Sequence, residues 1–349
     1  MKLQIEEERG TIQKNFNKQK TKNMLASIAY YQNEFNQFLN KKIQIKAPER
    51  LYQPISYILN SGGKRLRPVL TLMTAELYGT AYTKALDAAL AIEIAHNFTL
   101  VHDDIMDKSP IRRGKATIHT KWNLNTAILS GDMMLVQAYQ LFENYEGRTF
   151  KELFKLFNKT ALQACEGQRY DIDFERQKKV SEKEYLTMIE SKTAIGLATC
   201  MQMGAIVADA SEMDINNLGL FGKNLGMAFQ LQDDYLDAFG SASTFGKAIG
   251  KDIVENKKTY LYIKAMNNLP PKKAAQLKAL YANNAAIQSE NKVALVKELF
   301  IESGAPALLK NQVNTYTEAA FDIIPQLRIA SGHKLVLKHL GQRLMKRVV

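Results

Sequence analysis

Cysteine is nearly missing: Cys165 and Cys200 are the only two in 349 residues. Their spacing fits no metal ribbon and no disulfide framework, so the expected compartment is a reducing cytoplasm. Breakers are few as well, with 8 prolines and 19 glycines, so little interrupts long periodic stretches. No uncharged apolar run reaches the ~18 residues a membrane span needs. The opening "MKLQIEEERG" lacks the apolar core of a signal peptide. Alternating strand patterns do not stand out either. What is there is a chain 46% hydrophobic and 23% charged, the composition of a soluble globular protein with a large core.

Residues 1–23 are polar and read as a disordered extension. Helical periodicity begins near Met24, with Leu25, Ile28, Tyr31 and Phe35 in register. Further helices are predicted over 51–60, 68–79, 84–107, 124–144, 149–174, 182–209 and 214–239, then several shorter ones over 257–346. No long linker, repeat or low-complexity tract divides the chain. The reading is one all-α domain over 24–349. The net charge of +12 is concentrated at the ends: +3 over 1–23 and +5, with no acid, over 333–349. A basic chain can bind nucleic acid, an anionic membrane or small polyanions. No zinc-finger spacing or RNA-binding aromatic motif occurs, so nucleic acid is not the expected partner.

Two acidic clusters carry the strongest signal. Asp103 and Asp107 are one helical turn apart, with Asp104 beside them. They sit at a predicted helix C-terminus, where the dipole is already negative. A solvated patch is the bland reading; a divalent cation would relieve the repulsion, and Mg²⁺ prefers carboxylate oxygens bridged to phosphates. Asp233, Asp234 and Asp237 repeat the spacing, with Gln230 and Gly226 on the same face. If the two helices face each other, six carboxylates line one cavity. Such a cavity would demand several Mg²⁺ ions and further cations to hold phosphate.

Those cations are available. Arg112 and Arg113 follow the first cluster, and Lys247 and Lys257 follow the second. "SGGKRLRPVL" offers Gly62 and Gly63 for close backbone approach, with Lys64 and Arg67 ahead of Pro68, a residue suited to a helix's first turn. Lys192 in "ESKTAIG" is a weaker signal. His96, two turns before the first acids, is a core histidine unless a diphosphate lies beside it. No nucleophilic serine or cysteine arrangement is apparent.

In order, "GGKRLRP", "HDDIMDKSPIRRG", "GQRYDIDF", "SKTA", "FQLQDDYLD" and "FGKAIGKDIVENKKT" resemble the motifs of the trans-isoprenyl diphosphate synthases, the polyprenyl synthetase family, over about residues 25–349. The resemblance implies a bundle of long helices around a central cavity, the isoprenoid synthase fold, usually as a homodimer. It implies Mg²⁺, three ions per site with substrate bound, on Asp103, Asp107 and Asp233, with Asp104, Asp234 and Asp237 contacting metal directly or through water. Arg112, Lys192, Lys247 and Lys257 would hold an allylic diphosphate; Lys64, Arg67, His96 and Arg113 would hold isopentenyl diphosphate. Gln230 and Thr193 would lie near a developing carbocation, and Gln168 and Asp171 would line the cavity. Phe98 and Thr99, five and four residues before Asp103, would set product length: one aromatic there, with no insertion in "DDIMD", resembles C20 synthases rather than C15. A terpene cyclase shares the fold but usually carries a mixed Asn/Ser/Glu second site. A non-catalytic partner subunit commonly loses an acidic motif, and this chain has both.

Overall fold

The computed structural model describes residues 28–240, 249–282 and 289–346. Lys247 and the predicted extension over 1–23 lie outside them. The described residues are mostly helical and form two compact units, one comprising those up to Leu156 with Cys200–Ser211, the other Phe157–Thr199 with those from Glu212 onward. Among the described residues, no helix is long and apolar enough to cross a membrane.

In the first unit a helix over 28–42 (α1) is followed by α2 (Glu49–Leu59), α3 (Leu66–Leu77) and α4 (Leu86–Met106). α4 is its axis. Ala88, Ala89, Leu90, Ala91, Ile92 and Ile94 are all buried, and α3 and α6 (Leu124–Gln140) both pack on this helix. Asn123 starts α6 by accepting the Thr126 amide at 2.8 Å. α4 stops at Met106 because Lys108 turns left-handed (φ 50°), and the Ser109 amide returns to the Asp104 carbonyl at 2.9 Å.

Among the described residues, the region after α4 is the one place where strand occurs. β1 (Ile111–Arg112) pairs antiparallel with β2 (Lys115–Ala116). The turn is Arg113-Gly114, both at positive φ (53° and 74°), the backbone of a two-residue hairpin matched to strand twist. A single turn, α5 (Ile118–Lys121), then leads to α6.

α7 (Gly147–Arg176) carries the chain into the second unit. There α8 (Glu182–Ile189) opens with a reciprocal Ser181–Glu184 capping box. The predicted single helix over 182–209 is in fact α8, a π turn over Glu190–Ala194, and α9 (Ile195–Val207). The core helix is α10 (Glu212–Phe239). Short α11 (Lys251–Val254), then α12 (Tyr260–Asn268), α13 (Pro271–Ala282), α14 (Ser289–Glu302), α15 (Ala305–Phe321) and α16 (Ser331–Met345) complete the unit. α10 packs mainly on α15 and the π turn; its Leu231 and Ala238 share a core with Ile253 of α11, Leu261 of α12 and Leu309 of α15.

Candidate active site

The first unit gathers guanidinium groups around a glycine loop. α3 begins at Leu66, so Arg67 lies within its first turn rather than ahead of it. Gly62 and Gly63 have φ of 87° and 127°, angles that side chains strain against. A Cβ on Gly63 would sit 3.0 Å from the Arg113 guanidinium carbon, and Arg113 itself donates to the Gly62 carbonyl. The glycine pair is thus the floor on which Arg113 rests. Lys64 is exposed beside it.

Arg65 is the residue of this loop that sequence reasoning missed. It adopts the left-handed conformation (φ 48°) and turns inward, its Nη1 2.7 Å from Glu93 Oε1, both side chains at least 95% buried. It also donates to the Leu59 carbonyl. Asn97 donates to Glu93 Oε1 at 3.2 Å and to the Glu93 carbonyl at 2.8 Å. The "KR" pair therefore divides its work: one cation faces water and the other clamps the loop to α4.

At the far end of α4 the three acids separate. Asp104 is buried and grips Arg112, which donates from Nε at 2.8–2.9 Å and from Nη2 at 2.8 Å. Burial still raises Asp104 above the ordinary carboxylate range, against the pull of Arg112. Asp103 is half-buried and Asp107 exposed. His96 is held neutral by burial first, then by Arg67, Arg113, Arg112 and Arg65 around it. Two of these four cations have buried acidic partners; guanidinium groups gathered in this way can take up a polyanion. Thr99 donates back to the His96 carbonyl at 2.8 Å, and Phe98 meets His102 edge-on, ring centroids 4.8 Å apart.

The second unit holds a cavity lined by Asp171, Tyr185, Lys192, Thr193, Gln230, Asp234, Asp252 and Lys257, with Phe174, Met188 and Ile189 among its apolar members. The π turn makes it possible. Extra backbone at Glu190–Ala194 projects Lys192 and Thr193 together, and two glycines let neighbours close on it. A Cβ on Gly167 would fall 2.4 Å from the Lys192 nitrogen, and one on Gly226 2.6 Å from Ala194 Cα. Lys192 pairs with Asp171 at 2.6 Å. A hydrogen-bond chain runs from the Thr193 hydroxyl to Gln230 Oε1 (2.9 Å), and from Gln230 Nε2 to Asp234 Oδ1 (3.1 Å). Tyr185, buried and not anticipated, donates to the other Asp234 oxygen. Burial and the neighbouring Asp252 push Asp234 well above the usual carboxylate range, and burial followed by Asp234 raises the Tyr185 phenol.

Asp237 is buried and accepts the Asp252 amide at 3.0 Å, while Asp233 is half-buried. Lys257 lines the cavity, and the next residue, Lys258, donates to the Phe174 and Glu175 carbonyls at 2.7 and 3.1 Å. Gln168 is near the same end of α7, its Oε1 buried without a hydrogen-bond partner. Among the described residues, no three His, Cys, Asp or Glu side chains gather as a ready-made metal cage. The donor chemistry nevertheless fits Mg²⁺, a hard ion that takes one or two carboxylates and completes its shell with water and substrate phosphate. Asp103, Asp107 and Asp233 are the carboxylates of the two clusters that are not buried.

Known proteins match this chain over most of its length. The profile of the polyprenyl synthetase family covers residues 48–299. Geranylgeranyl diphosphate synthase of Methanosarcina mazei is 35% identical over 302 residues, 86% of this chain and 91% of its own. Geranylfarnesyl diphosphate synthase of Natronomonas pharaonis is 35% identical over 258 residues, 69% of this chain and 76% of its own. A crystal structure of geranylgeranyl pyrophosphate synthase, 46% identical, superposes with a TM-score of 0.89 over 92% of this chain and 99% of that one. The fold is the all-α isoprenoid synthase fold, and the chain belongs to the polyprenyl synthetase family of prenyltransferases.

Proposed function

We propose that the protein condenses isopentenyl diphosphate with an allylic diphosphate, in the presence of Mg²⁺, to give an all-trans C20 prenyl diphosphate. The observation that carries this reading is the cavity of the second unit, where Lys192 and Lys257 share a wall with the Thr193–Gln230–Asp234 chain. Cations to draw off a diphosphate lie next to neutral oxygens that can face a carbocation. Asp103, Asp107 and Asp233 would hold the metal, and Asp104, Asp234 and Asp237 would fix the elements that carry them. When bound, Mg²⁺ neutralises the leaving diphosphate as a Lewis acid.

Lys192, Lys257 and Arg112, with Lys247 by family resemblance, bind the allylic diphosphate and stabilise the negative charge that develops as its C–O bond breaks. The Thr193 hydroxyl donates to Gln230, so its lone pairs and those of the Gln230 carbonyl oxygen are presented to the cation rather than a positive group. Lys64, Arg67 and Arg113 hold isopentenyl diphosphate, and neutral His96 donates one hydrogen bond to it. The C3–C4 double bond of isopentenyl diphosphate attacks the allylic carbon, and the resulting cation passes its C2 proton to the departed diphosphate, which restores an allylic product. Single aromatic Phe98, with the smaller Thr99 beside it, supports a C20 stop. The name of the M. mazei relative points the same way, whereas that of the N. pharaonis relative allows a longer chain.

The family profile runs through both compact units, which supports reading 24–349 as one functional domain. Leu124, Ile128, Leu129 and Val136 are exposed on α6, an apolar stripe that supports the homodimer. Omitting either substrate tests the reaction: product requires both diphosphates and vanishes with EDTA. A cyclic hydrocarbon from the allylic diphosphate alone would favour the terpene cyclase reading instead.

A further inference from the structure

The C-terminal helix carries charge that the reaction does not use. Residues 323–346 contain Arg328, Lys334, Lys338, Arg343 and Lys346 and no acid; the last acid before them is Asp322. α16 buries Leu337, Leu340, Gly341 and Leu344 against α10 and α15. At 100° per residue the opposite arc holds Leu335, Lys338, His339, Gln342, Arg343 and Lys346. Lys338, Arg343 and Lys346 are exposed on it, and Leu335 is 40% exposed in their midst.

We propose that this face of α16 docks the enzyme on an anionic lipid bilayer. Several Lys/Arg on one helix face, anchored to a folded body by the other face, are the footprint of an acidic headgroup surface. An apolar side chain among the cations gains by entering a bilayer interface but gains nothing against the phosphate backbone of a nucleic acid. Bases of a single strand stack on aromatic rings, and Ser331–Met345 contains no Phe, Tyr or Trp. The chemistry of the product agrees, because a long hydrocarbon tail partitions into a bilayer. A synthase resting there releases its product where the tail is stable.

The test is flotation of the full-length protein with vesicles of phosphatidylcholine alone or containing about a third phosphatidylglycerol. Binding is expected only to the anionic vesicles, and it falls steeply as salt is raised from low to high concentration. The triple variant Lys338→Gln, Arg343→Gln, Lys346→Gln loses about a hundredfold in partitioning. Its circular dichroism and its activity on water-soluble substrates are unchanged, since no catalytic group is touched. Leu335→Ser weakens binding a further few-fold. Equal binding to both vesicle types, or a triple variant that floats like the wild type, overturns the proposal. Retention by single-stranded RNA with no flotation on either vesicle overturns it in favour of a nucleic-acid partner.

Discussion

Glu93→Gln is the most informative single perturbation of the first unit. It preserves shape and removes the counter-charge from Arg65, whose side chain is only 5% exposed. Breaking a buried pair in this way costs about 3–5 kcal/mol, because the remaining charge stays desolvated. The Leu59 carbonyl and, at 3.4 Å, Asn36 Oδ1 still accept from Arg65, so the cost falls near the lower end, about 3 kcal/mol. With an unfolding entropy of about 2.1 cal/mol/K per residue, that lowers Tm by ~4 °C if the whole chain melts together, and roughly twice that if the first unit melts alone. Arg65→Met with Glu93→Leu removes both charges, and its loss is smaller than the sum of the single losses by about 2 kcal/mol or more. The loop carries Lys64 and leads into the first turn of α3, which carries Arg67, so KM for isopentenyl diphosphate rises about tenfold in Glu93→Gln while KM for the allylic substrate holds within about twofold. Calorimetry and two-substrate kinetics read both. Additive losses in the double variant, or an unchanged KM for isopentenyl diphosphate, would refute the clamp.

Three further outcomes follow from the geometry. Gly167→Ala forces a methyl into the Lys192 backbone, 2.4 Å from its nitrogen; overpacking of this kind costs about 1–3 kcal/mol, and kcat falls at least about tenfold as the π turn shifts, which single-turnover kinetics would detect. Phe98→Ala lengthens the prenyl product beyond that of the wild type, and an unchanged product distribution in chromatography of the dephosphorylated alcohols would remove Phe98 from the floor. His96 is neutral in the folded protein and its pKa lies below the ordinary 6.5. The unfolded chain therefore binds more protons as pH falls through about 6.5, so stability is lost on acidification. In His96→Asn the slope of Tm against pH between roughly 7 and 5 flattens; an identical slope would contradict the neutral assignment.

The sequence made the acidic spacing, the glycine loop and the helical class legible, because each depends on local periodicity or backbone sterics. Helical spacing by itself could not tell Asp103 from Asp104; only the family resemblance set them apart. Neighbours on a helix differ by about 100° in direction, and only the hairpin's arrival with Arg112 decides which one is buried. The same holds for Lys64, exposed, against Arg65, buried: identical charge, opposite surroundings. The π turn was invisible because its residues, "ESKTA", are ordinary helix formers. Its signal was indirect, in Gly167 and Gly226, whose missing side chains leave room for it. Tyr185 was lost among apolar positions of a short helix, and only the burial of Asp234 reveals its hydroxyl as a partner. Helical periodicity reports a face, not what comes to meet it.

The central claim is elongation of an allylic diphosphate by one or more isopentenyl units. Purified protein incubated with Mg²⁺, isopentenyl diphosphate and, in separate reactions, dimethylallyl, geranyl or farnesyl diphosphate should yield the same C20 alcohol from every starter after phosphatase treatment. A folded protein that elongates none of the three would contradict the account.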